Sequence, residues 1–171
     1  MRASSGERQG EDGCGTDETF RRYEHGTIGG GRAMVVTSTV FSLLEMQPAE
    51  LRIALIGASR HRHKFGAIIL DDLLGKGFEV WPVNPHGQEL HGRPVVSSVD
   101  QVPAPVHIVS LVLPPSQAQG ALERLDPDSD ALVWFQPGSY DTELLKWTRA
   151  KFRNVLAGPC IMVETQNPRP R

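Results

Sequence analysis

The sequence predicts an α/β fold, and three observations carry that expectation. Short, continuous apolar runs at 53–56, 79–83, 107–113, 131–135 and 154–157 read as strands buried on both faces, where apolar residues need not alternate. Longer amphipathic runs at 65–74, 116–125 and 139–152 fall between them and read as helices. Gly and Pro punctuate nearly every junction. Strands alternating with helices make a parallel sheet covered on both sides, so the expected architecture is a Rossmann-like, doubly wound, mainly parallel sheet of five to six strands with helices on both faces.

In chain order, residues 1–33 come first. They are rich in Gly, Ser, Thr and charge (S-S-G-E, E-D-G-C-G-T-D-E, G-G-G-R) and nearly free of aliphatic side chains, so a disordered extension is expected. Met34 opens a different composition, in which Val40, Phe41, Leu43, Leu44 and Met46 give residues 34–50 an apolar face suited to a short helix ahead of Pro48. Residues 1–33 are either a tail ahead of the domain or a segment before a natural start at Met34. The domain itself is expected over 51–165, with a polar, proline-rich tail at 166–171.

Within the domain the first strand stops at Gly57, and Gly57, Ala58 and Ser59 allow a tight turn before the helix that starts at Phe65. Gly75 and Gly77 end that helix by tolerating positive φ. Asn84 and Pro85 follow the second strand, 87–96 is a loop with an extended piece at 93–96, and 97–102 is one helical turn. Pro114 and Pro115 stop the third long strand, Ser116 is placed to cap the next helix, and 126–130 is a turn. Gln136, Pro137 and Gly138 leave the fourth strand, Ser139 or Asp141 can cap the last long helix, and Gly158, Pro159 and Cys160 leave the fifth.

The totals exclude several function classes. In 171 residues, 18 Lys and Arg stand against 20 Asp and Glu, a net charge of −2, so there is no chain-wide attraction to nucleic acid or to an acidic membrane. Anion binding must therefore be local. The only cysteines, Cys14 and Cys160, are too few for a disulfide framework and fit a reducing compartment, which leads to the expectation of a cytoplasmic protein. No apolar stretch reaches the length of a membrane span, and the first residues lack the features of a signal peptide.

A local anion site is available at 52–66, R-I-A-L-I-G-A-S-R-H-R-H-K-F-G. A strand, a small-residue turn and a helix N-terminus bring free N–H groups and the positive end of the helix dipole to one spot, and Arg60, Arg62 and Lys64 add cations. The same turn is also what any doubly wound domain needs, and the basic loop reads either as anion contact or as solvated surface. In an open parallel sheet, ligands bind beyond the carboxyl ends of the strands. Here those ends are small, rigid or neutral residues with no carboxylate pair and no His, which favours binding over proton-transfer chemistry. His61 and His63 lack the Cys or carboxylate neighbours that would complete a metal shell, and Cys160 reads as a small buried residue or a redox thiol.

Six motifs in register along 51–165 resemble one known family: I-G-A-S at 56–59, K-F-G at 64–66, V-W-P-V-N-P at 80–85, L-P-P at 113–115, W-F-Q-P-G at 134–138 and G-P-C-I-M-V-E at 158–164. Together they resemble the coenzyme A-binding protein family, stand-alone relatives of the coenzyme A-binding domain in the succinyl-coenzyme A synthetase α subunit. The resemblance implies binding of coenzyme A or an acyl-CoA, without catalysis, as a carrier, sensor or regulatory module. It implies that the Gly57, Ala58 and Ser59 turn with Lys64 holds the coenzyme's phosphates and that Asn84 and Pro85 flank its adenosine side, with Arg60, Phe65 and Val83 counted among the binding residues. Pro114 and Pro115 would bound the crevice floor, and Gln136, Pro137 and Gly138 would line the path of the pantetheine arm, with Leu113 and Cys160 as further binding residues. The synthetase domain has a more glycine-rich first turn, where this chain has Ser59 followed by Arg60.

Two rivals stand beside this reading. NAD(P) binding by a redox-sensing domain is disfavoured because the first turn lacks G-x-G-x-x-G and Asn84 stands where an acid would meet the ribose. One component of a multi-subunit acyl-CoA synthetase is the other, since this chain has no length for the synthetase's further domains. A homodimer or an unidentified protein partner is compatible with either.

Overall fold

The structure, a computed structural model, describes residues 30–166. Helix α1 (Gly30–Glu45) leads into strand β1 (Arg52–Ile56), helix α2 (Phe65–Gly75) and strand β2 (Glu79–Val83). A small hairpin, β3 (Glu89–Leu90) and β4 (Arg93–Pro94), and a 3-10 turn (Val99–Gln101) come next. The chain then alternates through β5 (Ile108–Leu111), α3 (Pro115–Leu122), β6 (Leu132–Phe135), α4 (Thr142–Lys151), β7 (Val155–Ala157) and the short α5 (Ile161–Glu164).

The five main strands form one parallel sheet in the order β2-β1-β5-β6-β7. Neighbouring residues of each strand point to opposite faces, which divides the core in two. Leu55, Ile108, Leu132 and Trp134 pack on one face with Val40 of α1, Ile69, Leu70 and Leu73 of α2, and Ile161 of α5. Ala54, Val109, Val133 and Phe135 pack on the other with Val99, Ala118 and Leu122 of α3, and Leu144 of α4. The strand order reverses between β1 and β5, so a crevice opens at their carboxyl ends.

Helix ends depart from the expectations in instructive ways. Helix α1 begins at Gly30, inside the stretch expected to be disordered; residues 1–29 and 167–171 lie outside the described residues. Helix α3 starts at Pro115, not Ser116, because a proline at the first position has no N–H to satisfy and its φ is already helical. It ends at Leu122, short of the expected 125, and Leu125 N–H closes a turn on Leu122 O. Asp141, not Ser139, caps α4: its Oδ1 accepts Leu144 N–H at 2.8 Å. Gly77 (φ +86) alone supplies the left-handed residue after α2, with Phe78 N–H bonded to Leu73 O and Gly77 N–H to Leu74 O; Gly75 stays helical. Helix α5 was not anticipated. Lys76 pins it to α2, its Nζ donating to Asp72 (2.6 Å), Met162 O (2.8 Å) and Thr165 Oγ1 (3.1 Å).

Candidate functional site

The turn after β1 is built on two glycines that approach each other. Gly57 leaves the strand at φ +95, and a Cβ there would lie 3.0 Å from Val112 O and from Leu113 Cδ2. Gly66, the second residue of α2, is closer still: a Cβ would fall 2.0 Å from Gly57 O. The helix N-terminus is therefore seated directly on the turn, the close helix-to-strand packing that a glycine permits. Lys64 is the extended N-cap residue and no side chain caps the helix, so its first N–H groups are not taken by a side chain. Their partial positive charge faces the crevice together with Lys64.

The crevice is a cleft of about 1230 Å³. Of the residues assigned from sequence, Gly57, Ala58, Ser59, Lys64, Phe65, Val83, Asn84, Pro85, Leu113, Pro114, Gln136, Pro137, Gly138 and Cys160 all line it. Arg60 and Pro115 do not: Arg60 is exposed in the bend after Ser59, and Pro115 opens α3, whose cleft-facing row starts only at Gln117. The cleft also takes in residues that the sequence reading left out. His63 and His86, both exposed, line it, so histidines do reach the strand ends. The cleft is also lined by the segment 97–101 and by Gln117, Gly120, Ala121 and Arg124 of α3 and its C-terminal extension. That second set has helical spacing and was legible as a row; only the strand order places it on a cleft.

Two motif amides are bonded within the protein. Asn84 Nδ2 donates to Ala58 O at 2.7 Å and its Oδ1 accepts His86 N–H at 2.8 Å, so it ties the turn after β1 to the turn after β2. Gln136, only 2% exposed, donates from Nε2 to Ser110 Oγ at 3.2 Å and accepts Ile161 N–H at 2.9 Å. Trp134 Nε1 reinforces that corner by donating to Pro159 O at 2.9 Å. Both amides are positioning struts that hold loops around the cleft. In the segment 97–101 the Ser98 hydroxyl bonds Asp100 and holds its carboxyl below the usual range, with a smaller contribution from the charge of Arg124. Cys160 is half-buried where the chain enters α5. Among the described residues, no group of three or more His, Cys, Asp or Glu is placed to hold a metal ion.

Comparison with known proteins bears on this site. Residues 51–166 match a family model described as CoA binding domain. The uncharacterized protein YneT of Bacillus subtilis is 29% identical over 112 residues, covering 66% of this chain and 83% of that protein. Among solved structures, a conserved hypothetical protein from Pyrococcus furiosus is 39% identical, with a TM-score of 0.64, over 67% of this chain and 99% of that one. A dinucleotide forming acetyl-coenzyme A synthetase 1 of Ca. Korarchaeum cryptofilum, solved with phosphate and ADP, is 25% identical with a TM-score of 0.55. It matches over 67% of this chain and 28% of its own length.

Proposed function

The chain belongs to the CoA binding domain family, and from that premise we propose that its cleft binds coenzyme A or an acyl-CoA without turning it over. The observation that carries the reading is the seat made by Gly57 and Gly66, which delivers an uncapped helix N-terminus and Lys64 to the middle of a cleft large enough for an extended ligand. The pyrophosphate lies at that seat. The adenosine end runs toward Pro85, His86 and 97–101, and the pantetheine arm runs past Pro137 and Gly138 to Cys160.

The reading of binding without turnover is supported by how several polar side chains are used. Asn84 is bonded to backbone, Gln136 to the Ser110 hydroxyl and the Ile161 N–H, and Asp100 to Ser98 within its own segment. The protein then acts as a carrier, sensor or regulatory module. A second reading, one component of an acyl-CoA synthetase assembled from separate chains, draws on the likeness to the acetyl-coenzyme A synthetase, of which this fold is only a part.

Native mass spectrometry of the purified full chain, followed by calorimetric titration with coenzyme A, NAD and NADP, tests the ligand. The expected result is a coenzyme A or acyl-CoA adduct and weaker or absent NAD binding; tighter binding of NAD would overturn it. Incubation with a panel of acyl-CoA thioesters should release no product, and release by the chain alone would end the non-catalytic reading. Affinity capture that returns ligase subunits would favour the second.

A further inference from the structure

The cleft has two separate cationic positions. Lys64 stands at the N-terminus of α2, where the pyrophosphate is placed. Arg124 lines the cleft from a different element, at the end of the row Gln117, Gly120, Ala121, Arg124. It comes nine residues after Pro115, where α3 begins, and two residues beyond the helix end at Leu122. Gly120, one turn earlier, keeps the row open, since a Cβ there would meet nothing within 4 Å. A ligand that spans both positions carries two anionic groups set apart from each other.

We propose that Arg124 is the specificity-determining cation for a phosphate monoester remote from the pyrophosphate, namely the 3′-phosphate of the adenosine end. This assignment rests on the coenzyme A reading. A guanidinium fork suits a phosphate monoester because two of its N–H groups donate in parallel to two phosphate oxygens. The other charged or titratable groups lining the cleft are Asp100, on which the charge of Arg124 acts, and His63, His86 and Cys160. Asp100 opposes the phosphate and moderates the affinity that Arg124 provides.

Calorimetry on the full chain with coenzyme A and dephospho-coenzyme A tests the assignment. Wild type should prefer coenzyme A by about tenfold, the size of one charge-assisted contact in an open groove. Arg124→Gln should bring the two affinities together by weakening coenzyme A, while Arg124→Lys should keep part of the preference because the charge remains and the fork is lost. Asp100→Asn should widen the preference, a change opposite in sign to that of a general structural loss. Equal affinity of wild type for both ligands, or a parallel loss for both in Arg124→Gln, would overturn the role of Arg124 and leave the coenzyme A reading standing. Failure of wild type to bind either ligand would overturn that reading and the assignment with it.

Discussion

Gly66 and Gly75 belong to the same helix, yet substitution should move stability in opposite directions. At Gly66 an added Cβ meets Gly57 O at 2.0 Å, and both partners are backbone, so the helix N-terminus must lift off the turn. Gly66→Ala should destabilise by about 1–3 kcal/mol or more and abolish coenzyme A binding. At Gly75 a Cβ meets nothing within 4 Å and φ is helical, so Gly75→Ala should stabilise by about 0.5–1 kcal/mol. Urea unfolding of the two variants beside wild type checks both signs. Lys64 is exposed, and Lys64→Ala should leave the unfolding temperature unchanged while weakening coenzyme A binding at low salt. The difference from wild type should shrink as salt rises, because screening already weakens the contact. Unchanged affinity at low salt would return Lys64 to solvated surface.

Helix α5 has four residues, too few to be stable alone, so its place over the first core face depends on what holds it. Ile161 anchors it in the core, Gln136 takes the Ile161 N–H, and Lys76 fixes its last turn from α2. Lys76→Met removes the last of these and should speed amide hydrogen exchange across 161–165 while leaving the central strands protected. Equal exchange in variant and wild type would show that the core contacts alone suffice. At the other end of the sheet, Arg52 Nε donates to Glu79 at 2.9 Å and joins the starts of β1 and β2. The bonds from Arg52 and Trp81 hold the Glu79 carboxyl below its ordinary value of 4.5. A lowered folded-state pKa gives stabilisation that is present above the ordinary value and is lost as pH falls through the lowered one. The pair is partly exposed and is worth under about 1 kcal/mol, so Glu79→Gln should cost that much at neutral pH and nothing once the medium is well below pH 4.5. Denaturant unfolding at both pH values checks it.

For the molecule as a whole, the core reaches α1 through Val36 and Val40, both C-terminal to Met34. A chain beginning at Met34 should therefore unfold within a few degrees of the full chain, measured by thermal denaturation, and a large loss would show that the residues before it pack on the domain. The strands, the turn at Gly57 and most of the cleft lining were legible in the sequence, because apolar runs, small residues and prolines set local backbone geometry wherever they occur. Asn84 and Gln136 were legible as cleft residues but not as struts, since their partners, Ala58 and Ile161, lie 26 and 25 residues away. Arg60 looked equivalent to Lys64 in the basic loop, and only the seating of α2 on the turn separates the one beside the cleft from the one outside it. By itself the sequence determined an α/β domain with a phosphate-ready first turn, through short-range sterics and burial periodicity. The tertiary structure decided which segments share the crevice, bringing 97–101 and Arg124 to its lining, because strand order and helix packing are long-range and no local pattern encodes them.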